Sequence, residues 1–369
     1  MSSNQGYSIQ AESPPNLHIP LSDRTVSVFL VDSGIRVGAP RGLLVTPTYK
    51  GAEGLMAPAY SFLVSHPSGK RILFDLGVRK DWQSAFPPTV LQEITNPDFG
   101  ITAVQTTDVP EALVQGGIRL DDINQILWSH HHWDHVGDPT LFPTTTDLVV
   151  GPGFKEAFGP GWPSREDAPV KTVDWEGRNL IEHDFKNGKS LKIGRFSALD
   201  YWGDGSFYVL DTPGHALGHV SALARVGKDE FVFLGGDVAH HPGEFRPSPY
   251  VPLPATISPS PFPDLYPESC PGTVFASIKP DPLTPFYHPA EPLAYDIPLT
   301  VWSIEGLKEF DASENILVVV AHDASLLPES DEENAWLFPQ PLTGWKKAGL
   351  KEKVKWRFLK DFKTAIQTS

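Results

Sequence analysis

The chain has 369 residues, 40% hydrophobic and 20% charged, which is enough apolar material for a sizeable core. The 30 basic side chains stand against 45 acidic ones, and the formal charge of −15 opposes broad binding to nucleic-acid phosphates. The single cysteine, Cys270, excludes an internal disulfide framework and is expected to be an inert apolar residue.

Residues 1–24 are polar and contain Pro14, Pro15 and Pro20, so they read as an extended arm ahead of one domain over 25–369. The first six residues lack the basic and apolar regions of a secretory signal, and no run of 18 apolar residues follows. A cytoplasmic protein that does not enter a membrane is therefore expected. Residues 26–31 predict a first strand, and 59–64 with 71–74 a hairpin around His66-Pro67-Ser68-Gly69. Residues 123–128 form an apolar strand that runs into His130-His131-His132-Trp133-Asp134-His135. Independent placement of these residue types would give His-x-His-x-Asp-His about once in a thousand such chains.

Two imidazoles one residue apart can converge on one cation, while Asp134 and His135 point elsewhere and can hold a second. Imidazole and carboxylate without thiolate suit zinc, and also iron, manganese or nickel. Further candidates follow in chain order. A strand at 207–210 leads to Thr212-Pro213-Gly214-His215, and a strand at 231–234 leads to Gly235-Gly236-Asp237. A strand at 316–321 ends at His322-Asp323. Each candidate ligand thus sits just beyond an apolar strand, where loops on a rigid scaffold gather functional groups.

Between these elements, about 242–298 is dense in proline, which removes amide donors and fixes φ. Interleaved Tyr250, Phe262, Tyr266, Phe275, Phe286 and Tyr287 give it apolar anchors, so an ordered insertion on the substrate side, roofing the site, is expected. Residues 301–310 predict a helix. The tail 345–362 alternates Lys with Trp, Leu and Phe and reads as packed edge structure with solvated lysines.

With Ser129 to Gly137, Thr212 to His215, Gly236-Asp237, Ala321-His322 and the upstream Phe74-Asp75-Leu76-Gly77, the chain resembles the metallo-β-lactamase superfamily. The resemblance spans about residues 25–325 and is nearest to the lactonase-type branch with its fungal lactamase-like relatives. It implies an α/β protein, a four-layer αββα sandwich with a dinuclear metal site at one sheet edge. Carried over position by position, His130, His132 and His215 would hold one divalent cation, Asp134, His135 and His322 the other, and Asp237 would bridge them. Asp75 would support the site through hydrogen bonds without touching metal. Zinc is the expected metal, with iron or manganese as alternatives.

The implied chemistry is hydrolysis by a hydroxide shared between the two ions, opening a cyclic ester or cyclic amide of a small molecule. A thioesterase is the nearest alternative, and a mononuclear iron persulfide dioxygenase the alternative of another class. His240 lies three residues after Asp237, where lactonases of this superfamily commonly carry a tyrosine that meets the substrate carbonyl. A catalytic role is accordingly expected for His240 beside Asp237. His131 and His219 read as hydrogen-bonded loop residues, and His18, His66, His183 and His288 lack ligand spacing.

Overall fold

The computed structural model describes residues 10–104, 107–186, 188, 190–329 and 336–369. Two six-stranded sheets face each other. The first runs Ser27–Val31, Ser61–Ser65, Arg71–Phe74, Gln125–Leu127, Asp147–Val150 and Leu180–Glu182 in spatial order. Its first three strands pair antiparallel and the remainder parallel. The second sheet runs Leu191–Ile193, Phe196–Asp200, Phe207–Asp211, Val220–Gly227, Glu230–Leu234 and Ile316–Val319, antiparallel up to the last, parallel pair.

Strand side chains alternate between faces, and here both faces are covered, which explains the nearly continuous apolar runs. Phe62 and Val64 enter the core between the sheets together with Phe207, Val209, Val232 and Leu234. Leu63 points the other way, into a layer with Trp82, Ile94, Val109 and Leu113 from the helices Trp82–Ala85, Pro88–Ile94 and Val109–Gln115. On the far side, Tyr208, Leu210 and Phe233 pack on Ile304, Leu307 and Phe310 of the helix Ile297–Asp311. The order is helix, sheet, sheet, helix, as the four-layer expectation had it.

That last helix starts four residues before the predicted 301. Asp296 caps it by accepting from the Leu299 amide at 2.9 Å, and Pro298 sits in the first turn, where a missing N–H costs no helical hydrogen bond. Residues 10–22 of the arm form no helix or strand; Leu17 is buried on the second sheet and its carbonyl accepts from the Gly194 amide at 2.7 Å.

Two expectations for the C-terminal half need correcting. The anchors of the proline-rich segment, among them Phe262, Phe275, Phe286 and Tyr287, pack with Trp356, Phe358, Leu359 and Phe362 of the tail and do not roof the site. Cys270 is buried in the same cluster, where burial pushes its thiol up to about 11. The tail is helical rather than an edge, with turns at Leu350–Val354, Arg357–Phe362 and Lys363–Thr368. Its Lys351 is not solvated: the buried ammonium donates to the carbonyls of Asp311, Ser313 and Ile316 at 2.7, 2.7 and 2.9 Å. Among the described residues, no helix is long and apolar enough to cross a membrane.

Candidate metal centre

The histidine motif leaves the first sheet at Leu127 and is clamped by the segment that leaves the neighbouring strand at Phe74. The Leu76 amide donates to the His135 carbonyl at 2.8 Å and the Gly137 amide to the Gly77 carbonyl at 3.0 Å. Gly137 ends the short turn Trp133–Val136 at φ 50°, and a Cβ there would stand 2.4 Å from the Leu76 Cβ. From the second sheet, Asp211 leads through Gly214 (φ 131°) to His215, and a Cβ on Gly214 would meet the Thr300 amide nitrogen at 2.1 Å. The Pro-Gly-His turn is thereby pressed onto the start of the helix Ile297–Asp311. Asp237 follows Leu234, and His322 follows Val319 on the parallel partner strand.

All seven predicted ligand positions converge. His130, His132 and His215 form one group and Asp134, His135 and His322 another; in each, one ligand atom per residue lies within 4.8 Å of the others. His215 Nε2 stands 2.9 Å from His132 Nδ1 and 3.2 Å from His130 Nε2. Asp237 lies between the groups, its Oδ2 3.6 Å from His215 Nε2 and 3.2 Å from His322 Nε2, its Oδ1 3.1 Å from His135 Nε2. His322 Nε2 also faces Asp134 Oδ2 at 3.4 Å.

The hydrogen bonds behind the cluster decide which nitrogens are bare. Asp75 is buried at φ 62° and accepts from the Ser129 amide at 2.6 Å, the Ser129 hydroxyl at 2.8 Å and His135 Nδ1 at 2.8 Å. With its proton committed to Asp75, the Ser129 hydroxyl accepts from His130 Nδ1 at 3.0 Å. His322 Nδ1 donates to the Pro58 carbonyl at 2.8 Å. In the neutral rings the opposite nitrogens of His130, His135 and His322 therefore carry lone pairs, and those of His135 and His322 point at carboxylate oxygens. Lone pairs of both groups repel unless a positive charge lies between them.

The same need shows in the titration. Burial opposes protonation of His322, yet Asp237 and Asp134 together outweigh it and raise the imidazole to about 9; His135 is held well above its ordinary value against burial by Asp237, Asp75 and Asp134. His135 Nε2 and Asp237 Oδ1 are buried without a hydrogen-bond partner although they face each other. Ligands bound to zinc at about 2.0–2.1 Å in tetrahedral geometry stand about 3.4 Å apart, close to the separations across this cluster. The residues fit a pair of divalent cations.

The remaining histidines separate cleanly. His219 Nε2 accepts from the Asp237 amide at 3.0 Å while Nδ1 donates to the Thr212 carbonyl at 2.9 Å, so it fixes the Asp237 backbone. The His131 ring packs on Phe158 at 4.3 Å between centroids with its Nδ1 buried and unpartnered, so ring packing rather than the expected hydrogen bond holds it there. His240 turns into the cluster, its ring 4.6 Å from that of His215 and its Nε2 3.6 Å from Asp237 Oδ2, with both ring nitrogens unpartnered. Together with His215 and Asp237 it also forms a group close enough to hold a metal. Its neighbour His241 turns away, toward Asp361 at 3.2 Å and the Tyr287 ring. His66 lies on the distant hairpin against Asp204, and His183 packs beside Tyr201.

Sequence reasoning missed the walls of the site and one anchor. A cavity of about 170 Å³ opens onto His132, Asp134, His215, Asp237, His240 and His322. Its apolar walls come from Val37, Leu44, Leu55, Ile94, Ile101 and Trp133, and of residues 242–298 only Leu293 reaches it. Asp361 in the tail binds Arg41 at 2.8 Å as well as His241, tying the tail to the segment that carries Leu44. Nothing in the tail's composition marks Asp361 out from other surface acids.

Residues 54–268 match the family model described as Metallo-beta-lactamase superfamily. The chain is 45% identical over 361 residues to Gamma-lactamase FDB1 of Fusarium pseudograminearum, across 95% of this chain and 85% of that protein. It is 43% identical over 362 residues to Metallo-hydrolase mfmC of Annulohypoxylon moriforme, across 96% and 92%. The crystal structure of B. thuringiensis AiiA with N-decanoyl-L-homoserine bound at the active site shares the fold, with a TM-score of 0.53 at 18% identity over 86% of this chain and 99% of that one. With a family model over more than half its length and relatives matched across nearly all of it, the chain belongs to the metallo-β-lactamase superfamily.

Proposed function

We propose that this chain is a metal-dependent hydrolase that opens the ring of a small cyclic amide or cyclic ester. The observation that carries the reading is a three-histidine group and an Asp-His-His group, with Asp237 between them, at the floor of an apolar cavity. The names gamma-lactamase and metallo-hydrolase, borne by relatives that match nearly all of the chain, support it. His130, His132 and His215 would hold one cation and Asp134, His135 and His322 the other, with Asp237 placed to serve both. Zinc suits this nitrogen and oxygen donor set, and iron or manganese would also fit it. When bound, paired divalent cations supply a nucleophile from water at neutral pH and polarise a carbonyl oxygen.

The chain's own residues do the rest. The apolar walls displace water from the ring and orient it over the cluster. Asp75, through Ser129 and His135, holds two imidazoles in the tautomer that leaves their inward nitrogens bare. Burial pushes His240 down to about 4, against the opposing pull of Asp237, so its imidazole is neutral at physiological pH. A neutral imidazole with a free N–H donates a hydrogen bond to the carbonyl oxygen as negative charge develops there, and is a weak proton donor to the leaving group. The carbonyl carbon gains an oxygen, its ring bond to nitrogen or oxygen breaks, and the proton released passes to the departing atom. We place the protein in the cytoplasm, with a small molecule and no nucleic acid as its partner.

A panel of lactams, lactones and acyl thioesters tested on zinc-loaded protein decides between readings. Turnover of lactams or lactones above the thioesters is expected. Turnover of thioesters alone would move the assignment to a thioesterase, and oxygen uptake by protein holding one iron would move it to an oxygenase.

A further inference from the structure

The walls of the cavity carry almost no charge. Outside the histidines and the two aspartates of the cluster, the only ionisable side chain among its described lining residues is Glu93, and no lysine or arginine is among them. Glu93 comes from the helix Pro88–Ile94 and lines the cavity while its side chain remains exposed to solvent. The partial desolvation of its carboxylate and then the Asp134 carboxylate hold its pKa above the ordinary value, so the charge of Asp134 is felt at Glu93.

Ring opening changes the charge of the ligand. A neutral lactam or lactone becomes a carboxylic acid, which is ionised at neutral pH. Two divalent cations bring four positive charges against two from Asp134 and Asp237, so a loaded floor favours anions and would retain the product. Among the described lining residues, Glu93 alone opposes that pull.

Resting on the function proposed above, we propose that Glu93 is a charge-selective residue: it favours neutral cyclic amides and esters, disfavours those that carry a carboxylate, and weakens the hold of the site on its own carboxylate product. This gives the substrate class as uncharged, compact and apolar around the scissile ring. It also gives the site a physical means of releasing product. The selection is electrostatic, so it acts through the potential in the cavity and needs no contact with the ring.

The test compares zinc-loaded wild type, Glu93→Gln and Glu93→Lys in two arms. Calorimetric titration with hydroxymethylbenzoate, the opened form of the lactone phthalide, reads product affinity without turnover. Hydrolysis of phthalide against its ring carboxylate reads selection. Product is expected to bind about three- to tenfold tighter to Glu93→Gln, with the preference for the neutral lactone falling by a similar factor, chiefly through KM. Glu93→Lys is expected to move both further in the same direction, and added salt to shrink both differences. Carboxylate affinity that is the same in all three proteins would overturn the inference. If no cyclic ester or amide is hydrolysed, the functional reading fails, while the calorimetric arm still decides the role of Glu93.

Discussion

Replacing Asp75 by alanine strips the cluster of its support while leaving every candidate ligand side chain in place. The carboxylate accepts three buried hydrogen bonds, from the Ser129 amide, the Ser129 hydroxyl and His135 Nδ1. Leaving buried donors unmade costs about 1–3 kcal/mol each, partly offset because a buried carboxylate is no longer desolvated, so a net loss of about 2–4 kcal/mol in the metal-free protein follows. His135 and Ser129 are then free to turn, and removing such a partner typically weakens metal binding by about 10–100-fold, or about 1.4–2.7 kcal/mol. Chemical denaturation with chelator present reads the first quantity. The extra stability gained on adding zinc reads the second, since a ligand that binds only the folded state stabilises by its free concentration over Kd. Asp75→Asn keeps one acceptor but presents an amide to His135 Nδ1, so it should fall between wild type and alanine. If Asp75→Ala binds zinc as tightly as wild type, the reasoning about tautomers is wrong.

His240→Ala should retain its metal while kcat falls about 10²–10³-fold, the usual loss for one donor to a developing oxyanion, and KM moves little. Metal content falling in parallel would instead make His240 a ligand, as its distances to His215 and Asp237 allow. Away from the site, burial pushes His183 down to about 4, whereas the unfolded side chain titrates near ~6.5. The unfolded chain therefore takes up the proton first as pH falls. The stability associated with neutral His183 is present above about pH 6.5 and is lost between there and about pH 4, by at most about 3 kcal/mol. His183→Leu should flatten that acid limb in metal-free protein, and an unchanged slope between pH 7 and 4 would contradict it.

The ligands were legible because each combines a rare residue type with a strand end, two signals that a linear sequence carries. His130 to His135, His215, Asp237 and His322 all follow apolar runs, and the sheets bring those run ends together. The cavity walls were not legible, because Val37, Leu55 and Ile94 are apolar residues on short elements and look like any core position until the chain is folded. The proline-rich segment misled for a related reason. Its aromatics do need apolar partners, but those partners are Trp356 to Phe362, about a hundred residues on, and only the fold shows that the tail rather than the site receives them. Lys351 shows the limit of charge patterning: a lysine among aromatics reads as solvated until three carbonyls are seen to meet it.

The central claim is that His130, His132, Asp134, His135, His215 and His322 hold two divalent cations joined by Asp237. Metal analysis of wild type and Asp237→Ala, each purified after loading with zinc, tests it most directly. About two zinc ions per wild-type chain, with less than one and no lactam or lactone hydrolysis in Asp237→Ala, is the predicted result. Two ions retained and full activity in Asp237→Ala would contradict it.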